Sequence, residues 1–357
     1  MLFRLYLDRP MRRWREATEG GYVWPMGGVG ERFHVSNVTD EGCSEADWLR
    51  LNLTLWRLTG QTRFLDMAER LLWNHYAMNR TANGGYGHHN FVCDADGPLL
   101  MQPKFTEAVW CCTFHGILGL ETLKRCLVEG SNRGVFVNFP ADVVATVATN
   151  RGRWKATVVR EDRPGAVTCA VRLDPAEDAA AIPELYLRRP DWADQVQATD
   201  RAGRSCPTAS EHGYLRLPVR PGAEGEVRVI FSFKPRIEDL RLHTLSIGGS
   251  AVGRHRGVTL FDGPRLLLAN TQQQRPTIVV PVDVGRPVLS SGKEGCYSVA
   301  LIDRFEAGEK AIAESLPGGP RMSLTPWDRT ARGTPAAFVF DVITVPAPSE
   351  IVRPAAK

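Results

Sequence analysis

Hydrophobic positions recur at helical spacing through the first third of the chain. Over residues 62–80 they lie three or four apart, which predicts one helix with a single buried stripe. That stripe consists of Leu65, Ala68, Leu72 and Tyr76, and the charged residues Asp66, Glu69 and Arg70 lie off it. Residues 45–58 are apolar nearly all round, which predicts a helix buried on most sides and ending at Gly60. Residues 113–127 predict a third helix.

The apolar period changes to two from about residue 131. Short alternating or β-branched runs follow, separated by clusters of glycine, proline and aspartate, as is typical of antiparallel β-sandwiches. A second set of such runs begins near residue 254. These patterns predict three domains: a helical domain at 1–130, a first β-sandwich at 131–238 and a second at 239–357.

The composition is that of a globular protein. Of the 357 residues, 43% are hydrophobic and 24% charged, which argues against disorder. The formal charge of +4 comes without a concentrated basic run, so neither nucleic acid nor an anionic membrane is expected as a partner. No apolar stretch reaches the length of about 18 residues that a spanning helix needs. The amino terminus lacks the pattern of a signal peptide, and we therefore expect a cytoplasmic protein.

Eight cysteines are present, too sparse for a secreted disulfide scaffold, which favours thiols in a reducing compartment. Cys43 follows Glu41 in an E-x-C element just before one predicted helix, and the adjacent pair Cys111 and Cys112 stands just before another. Three thiolates and a carboxylate make a complete tetrahedral set for Zn²⁺. The spacing alone is unlike that of zinc fingers and favours buried structural cysteines over a metal site.

Other candidate site residues lie in or beside glycine-rich loops. His88 and His89 form a pair that is either a ligand set or a solvated turn, and His115 lies on the third predicted helix. Trp110 is either a platform for a sugar ring or a core residue. Glu31, in GGVGERF, is a loop carboxylate that can approach a substrate or simply occupy a surface turn. The GGVG run does not match the dinucleotide-binding fingerprint.

The order of these motifs resembles glycoside hydrolase family 127, the β-L-arabinofuranosidases. Later runs also match: LYLRRPDWA is similar to the family's LRIPxWA, and GVTLFDGPRLLL to its GP-containing strand. The resemblance extends to about residue 270. The matching amino-terminal motifs are Gly27–Phe33, Glu41–Cys43, the pair Cys111 and Cys112, and Val135–Phe139.

The sequence departs from the family pattern in four respects. Gly42 replaces the threonine of E-T-C, and C-C-T-F-H replaces C-C-P-x-N. The interval between Glu31 and Glu41 is short, and fewer helices precede the motifs than a full toroid needs. The resemblance therefore implies an α+β multidomain fold in which a partial (α/α)6 toroid is followed by two antiparallel β-sandwich domains.

The resemblance also implies roles for individual residues. Glu41, Cys43, Cys111 and Cys112 would bind zinc, Cys111 would be the nucleophile, and Glu31 the acid/base. Glu31 is preferred over Glu45 for this role because Glu45 lies at a helix start, where the helix dipole accounts for a carboxylate. The residues assigned to substrate binding are His88, His89, His115 and Trp110.

The predicted function is that of a zinc-dependent retaining glycoside hydrolase that cleaves terminal β-L-arabinofuranosides or a related sugar from a glycoside or oligosaccharide. Two alternatives remain: a non-catalytic carbohydrate-binding or assembly protein on the same scaffold, and a toroid-type polysaccharide lyase. A partial toroid leaves apolar helix surface uncovered, so we expect exposed Leu, Trp or Met on the helices of residues 45–58 and 62–80. A homo-oligomer, or a partner chain supplying the missing helices, would cover that surface.

Overall fold

A computed structural model describes most of the chain up to residue 239 and a set of strands beyond it. The described residues are 2–19, 23–24, 26–29, 35–36, 42–81, 83–87, 90–92, 100–102, 108–176, 178–222, 225–239, 242–245, 252–255, 257–270, 277–281, 290–291, 296–302, 321–326, 336–337 and 341–345.

The chain divides into two compact units that interleave along the sequence. The first unit comprises Met1–Arg12, Ala46–Leu72 and Phe114–Lys234. The second unit comprises Arg13–Glu45, Trp73–Thr113 and Pro235–Lys357. The three consecutive domains expected from the sequence remain a prediction.

The helices of the described residues all lie before residue 125, where the hydrophobic pattern predicts them. They are α1 (Leu2–Glu19), α2 (Gly42–Thr59), α3 (Arg63–Leu71), which continues through a π-helical turn (Leu72–Tyr76) into α4 (Ala77–Asn79), and α5 (Trp110–Lys124). Helix α2 ends as predicted, because Gly60 adopts a φ of +69° and donates its N–H to the carbonyl of Trp56 over 2.7 Å. In the described part of the chain, no helix is both long and apolar enough to span a membrane.

The apolar stripe of α3 is buried as predicted, and so is most of α2. Leu65 and Ala68 are fully buried, as are Leu49 and Leu53 of α2. The expectation of exposed hydrophobic residues on these two helices is wrong except at Leu58, which is 38% exposed. The exposed apolar surface lies instead on α5.

One side of α5 presents large hydrophobic residues to solvent. Trp110 is 83% exposed, Phe114 60% and Ile117 51%. Leu118 and Leu120 are exposed as well. Because the first three recur at positions i, i+4 and i+7, they share one face of the helix.

Residues 128–232 form two five-stranded sheets in the first unit. One sheet has the order β11-β12-β9-β5-β4 and the other β10-β13-β8-β7-β6. Their strands are β4 (Val128–Ser131), β5 (Gly134–Val137), β6 (Val143–Thr149), β7 (Gly152–Arg163), β8 (Ala166–Pro175), β9 (Leu185–Arg188), β10 (Gln195–Asp200), β11 (Ala209–Glu211), β12 (Tyr214–Leu217) and β13 (Val227–Ser232).

Both sheets contribute alternate residues to one apolar core. Val135, Leu187 and Leu215 come from the first sheet, and Val171 and Phe231 from the second. This period of two is the one that the sequence shows. Cys169 is fully buried in the same core, where its small side chain packs among apolar residues.

The second unit contains the remaining described strands, including three in the region predicted to be helical. A three-stranded sheet has the order β1-β15-β16, and a larger sheet contains the others. The strands are β1 (Val35–Ser36), β2 (Asn90–Val92), β3 (Leu100–Gln102), β14 (Arg236–Asp239), β15 (Leu242–Leu245), β16 (Val252–His255), β17 (Val258–Asp262), β18 (Arg265–Asn270), β19 (Thr277–Pro281), β20 (Ser290–Ser291), β21 (Tyr297–Ile302), β22 (Arg321–Pro326), β23 (Ala336–Ala337) and β24 (Asp341–Val345).

The charged side of α3 is not a solvent face. Glu69 is 1% exposed, and its Oε2 accepts a hydrogen bond of 2.6 Å from Nη2 of Arg188, a fully buried residue of β9. Asp66 pairs with Nη1 of the same guanidinium. The helix therefore uses these carboxylates to hold β9, which helical spacing alone does not reveal.

Candidate functional site

Three cysteines from two distant segments of sequence converge in the second unit. The sulfur atoms of Cys43, Cys111 and Cys112 all lie within 4.8 Å of one another. The Cys111 and Cys112 sulfurs are 3.9 Å apart, and the Cys112 and Cys43 sulfurs 4.0 Å apart. Cys112 is fully buried, whereas Cys43 and Cys111 are half-buried. The predicted convergence of these three residues is therefore observed.

The cluster lies at the beginnings of two helices. Cys43 is the second residue of α2, and Cys111 and Cys112 are the second and third residues of α5. The unpaired N–H groups and the positive end of the helix dipole at such positions favour negative charge. Thiolates are stabilised there for the same reason.

The sulfur separations suit a metal ion. Sulfurs bound tetrahedrally to Zn²⁺ at about 2.3 Å lie about 3.8 Å from one another. Two of the observed separations are within a few tenths of an ångström of that value. The three cysteines can therefore hold a metal ion with little rearrangement.

The buried thiol of Cys112 resists ionisation. The hydrogen bond that Cys112 donates to the Cys43 sulfur, together with burial, raises the pKa of the Cys112 thiol above its usual range. A cation that binds the sulfurs would favour the thiolate form.

Two of the departures from the family motifs have a structural explanation. A Cβ atom on Gly42 would lie 2.6 Å from the carbonyl oxygen of Gly87, so this close approach of two backbones requires glycine. Thr113 occupies the place of the family's proline, and its hydroxyl lies 3.0 Å from the amide nitrogen of Tyr86 and 3.2 Å from its carbonyl oxygen. The threonine thus ties the glycine-rich segment before His88 to the start of α5.

Four of the predicted site residues lie outside the described residues. They are Glu31, Glu41, His88 and His89. Their predicted roles stay predictions.

The remaining two predicted site residues lie on α5. Nδ1 of His115 is 3.2 Å from Oδ1 of Asp47, and both side chains are partly exposed. Trp110, directly before Cys111, is the most exposed of the large hydrophobic residues in the described part of the chain. It is therefore a surface residue rather than part of the core, whereas Trp24 and Trp48 are buried in the core.

A buried polar group near Cys43 was not predicted from the sequence. Nδ1 of His75 lies 2.5 Å from Oε1 of Glu45, and both side chains are completely buried. Asn79 donates a hydrogen bond of 2.7 Å to Oε2 of Glu45. A Cβ atom on Gly28 would overlap the His75 ring and lie 2.9 Å from Oε1 of Glu45. This group therefore joins α2 to the glycine-rich turn that precedes Glu31.

Glu45 lies in the first turn of α2, as predicted, but its burial and its contacts with His75 and Asn79 add to the helix dipole as reasons for a carboxylate at this position. A signal was available in the sequence, because His75 and Asn79 are four residues apart and lie on one helix face. The π-helical turn Leu72–Tyr76, of a kind often found at functional sites, includes His75. The helix propensities of single residues do not predict a π-helical turn.

Three solved structures share the fold of this chain. A glycoside hydrolase family 127 β-L-arabinofuranosidase from Geobacillus stearothermophilus T6 superposes with a TM-score of 0.60 at 14% identity, covering 92% of this chain and 56% of that one. A glycoside hydrolase gives 0.58 at 14% identity, covering 90% and 59%. A family 127 β-arabinofuranosidase gives 0.58 at 16% identity, covering 90% and 54%. The predicted resemblance is confirmed at the level of the fold.

The chain spans between 54% and 59% of the length of these structures. Comparison with protein families finds no match, and comparison with curated proteins finds none either.

Proposed function

We propose that this chain belongs to a zinc-dependent retaining glycoside hydrolase that acts on terminal β-L-arabinofuranosides or a related sugar. The observation that carries the proposal is the convergence of Cys43, Cys111 and Cys112 at two helix starts. The fold shared with solved glycoside hydrolases supports it. The cysteine cluster has no function in a polysaccharide lyase, which is the weaker alternative.

Zinc would be held by Glu41, Cys43, Cys111 and Cys112, a donor set that this metal accepts. Bound there, it would keep the sulfurs deprotonated at neutral pH.

The first half of the reaction uses Cys111 and Glu31. The Cys111 sulfur attacks the anomeric carbon, and a C–S bond forms as the bond to the leaving oxygen breaks. Glu31, protonated at this stage, donates its proton to the departing oxygen.

The second half reverses the proton transfer. Glu31 takes a proton from water, the water oxygen bonds to the anomeric carbon, and the C–S bond breaks to restore the Cys111 thiolate. Two displacements at one carbon retain its configuration. His88, His89, His115 and Trp110 are proposed to contact the sugar.

The finer architecture belongs to the same proposal. We take α1–α5 as part of an (α/α)6 toroid in domain 1–130, followed by β-sandwich domains at 131–238 and 239–357. The two five-stranded sheets around a common core support the first sandwich. A cytoplasmic location remains a prediction from the thiol content, and none of the seven cysteines that the structure describes forms a disulfide.

The metal is tested by elemental analysis of the purified protein, together with a screen of aryl glycosides that includes a β-L-arabinofuranoside. We expect one zinc per chain and its loss in Cys43→Ser. Cys206→Ser, at a half-buried cysteine outside the cluster, is the matched control and should keep the metal. Full zinc content in Cys43→Ser would refute the site.

The catalytic roles are tested in the first turnover with poor and activated leaving groups. Glu31→Gln should lower the rate by roughly 10²–10⁴ with a poor leaving group. The loss should shrink with an activated one, which hardly needs protonation. Cys111→Ser should abolish turnover with both.

An electrophilic sugar analogue should label Cys111 and spare Cys126, a buried thiol whose pKa is raised by burial to about 11. Turnover by Cys111→Ser would contradict the assignment.

A second candidate function is a non-catalytic carbohydrate-binding or assembly protein. The exposed apolar face of α5 favours it, because such surfaces are usually interfaces. Stoichiometric zinc without turnover of any glycoside would support this second function, whereas an unsaturated product absorbing in the ultraviolet would indicate a lyase.

A further inference from the structure

A cavity of about 300 Å³ lies in the first unit, on the outer face of the sheet β11-β12-β9-β5-β4. Successive residues of a strand point to opposite faces of its sheet. Val135 and Val137 enter the apolar core, whereas Phe136 between them lines the cavity. Tyr186 on β9 and Tyr214 on β12 line it in the same way. The cavity thus has an aromatic wall presented by three neighbouring strands.

The aromatic wall is held rigidly in place. The rings of Phe136 and Tyr186 stack with centroids 4.6 Å apart and planes 10° from parallel, and Tyr214 meets Phe136 edge-on at 5.2 Å. The Tyr214 hydroxyl accepts a hydrogen bond of 3.0 Å from Nε1 of Trp56 and donates one of 2.6 Å to Asn138. Tyr186 and Tyr214 are only 6% and 4% exposed, so a ligand would meet chiefly the ring of Phe136 and the Arg133 guanidinium, which lies 5.8 Å from the centroid of that ring.

Two ion pairs border this wall. Nε of Arg57 donates to Oε1 of Glu129 over 2.6 Å, and Nη2 of Arg133 pairs with Oε1 of Glu211. All four side chains are partly exposed. Within the described part of the chain, Oε2 of neither glutamate makes a hydrogen bond, so both pairs retain acceptor capacity towards a ligand.

The turn at one edge of the cavity has an unusual residue. His212 and Gly213 join β11 to β12, with φ values of +50° and +82°. Positive φ at both positions is the geometry of a type I′ hairpin turn, in which asparagine followed by glycine is preferred. A histidine in this conformation carries backbone strain, which is found most often where a side chain has a function. The His212 side chain lines the cavity.

We propose that this cavity binds a saccharide unit of a neutral oligosaccharide, at a site in the other compact unit from the cysteine cluster. The two ion pairs sum to zero charge, so neither an anion nor a cation is favoured. A hydrocarbon would bury the glutamate oxygens without a hydrogen bond, which is costly. A sugar has both an apolar C–H face for the aromatic wall and hydroxyls for the charged groups. The volume lies at the lower end of that of small-molecule pockets.

The inference goes beyond the proposed hydrolysis and depends on it only for the choice of probe. The probe is a β-linked L-arabinofuranose trisaccharide, titrated calorimetrically into the full chain carrying Cys111→Ser, so that no turnover occurs. Arg133→Ala and Phe136→Leu, each added to this background, should weaken binding by about tenfold or more. Arg163→Ala is the matched control, because Arg163 is also an exposed arginine paired with a glutamate. Unfolding midpoints verify that each variant is folded.

Several results would overturn this assignment. Absence of binding to the trimer would do so, as would unchanged binding in either Arg133→Ala or Phe136→Leu. Equally tight binding of trigalacturonate would contradict the neutral ligand. The hydrolase proposal is tested separately, by the turnover of an aryl glycoside in the chain that retains Cys111. Arginine-dependent binding without any turnover would uphold the cavity and refute the hydrolase.

Discussion

Two groups of buried polar side chains, one in each compact unit, balance their charges differently. In the first unit, the guanidinium of Arg188 carries a permanent positive charge and pairs with Asp66 and Glu69. In the second unit, the cysteine cluster is made of three groups that are neutral when protonated and negative when not. The first arrangement holds its own counter-ion, whereas the second suits an added cation. We therefore regard the Arg188 group as a stabilising element of the fold and the cysteine cluster as the candidate metal site.

The Arg188 group also has its hydrogen bonds arranged for stability. Nε of Arg188 donates to the carbonyl of Asn138 over 2.6 Å, and Nε1 of Trp192 donates to Oε2 of Glu69 over 2.8 Å. Every nitrogen of the guanidinium thus has an acceptor. Such a network fixes β9 against α3 and leaves little freedom for a ligand.

The largest expected effect comes from removing the permanent charge. Arg188→Ala leaves the buried Glu69 and the partly buried Asp66 without their partner, and we expect the free energy of unfolding to fall by about 3–5 kcal/mol. Denaturant unfolding measures the change. Arg189→Ala, at the exposed neighbouring arginine, should change stability by no more than about 0.5 kcal/mol. Equal losses in the two variants would contradict the structural role of the Arg188 group.

A smaller loss is expected at the buried pair of the second unit. His75→Leu removes the partner that lies 2.5 Å from Glu45, and a buried polar group left without its partner costs about 1–3 kcal/mol. His115→Leu is the matched control, since His115 faces Asp47 at the surface and such a pair contributes about 0–1 kcal/mol. Thermal unfolding is measured for both variants, for Glu45→Gln and Asp47→Asn, and for the two double variants. The double-mutant cycles give the coupling energy of each pair. A larger coupling at the surface pair would contradict the comparison.

The helices and the alternating strands were predictable because both periods are local properties of the sequence. Leu65 and Ala68 are buried as their spacing requires, and Val135 and Val137 flank an outward Phe136. Periodicity cannot show what a polar residue meets across the fold. Glu69 contacts an arginine more than one hundred positions away, so its burial was missed.

The cysteine cluster is a second case in which local sequence patterns do not reveal a contact between distant residues. Spacing left Cys43 and Cys112 open to a purely structural interpretation, and only the order of the motifs indicated that they meet. Their contact needs the start of α2 to approach α5 so closely that a Cβ atom on Gly42 would lie 3.2 Å from Cβ of Cys112. No local property of the sequence specifies that approach.

The charge balance of the Arg188 group also predicts a pH dependence. Burial raises the pKa of Asp66 to about 7, against the opposing effect of Arg188. The folded protein therefore holds a proton that the unfolded chain, with an aspartate pKa of about 3.9, has released. The contribution of Asp66 to stability is complete below about pH 4 and is lost as the pH rises to about 7, with a slope of at most about 1.4 kcal/mol per pH unit.

Asp66→Asn should remove this slope. We compare the free energy of unfolding of the variant with that of the wild type at points about one pH unit apart, from about pH 4.5 to about pH 7.5. The difference between the two curves gives the contribution of Asp66 at each pH. Asp178→Asn is the control: Arg153 lowers the pKa of this exposed aspartate, so its contribution changes only in more acidic solution. Parallel curves for Asp66→Asn and the wild type would show that Arg188 keeps Asp66 ionised throughout.

The smallest effect on stability is expected at the exposed face of α5, which belongs to neither buried group. Phe114 and Ile117 are 60% and 51% exposed, so replacing both by serine should change the free energy of unfolding by no more than about 0.5 kcal/mol per site.

The same two replacements should weaken self-association, because a second copy or a helical partner would bury this apolar face of α5. Sedimentation of the wild type and the Phe114→Ser/Ile117→Ser variant over a range of concentrations measures it. Val144→Ser/Val159→Ser, at exposed valines of the β region, is the matched control. A wild type that stays monomeric at every concentration, with a variant that is markedly less stable, would mean that α5 serves folding within the chain and not assembly.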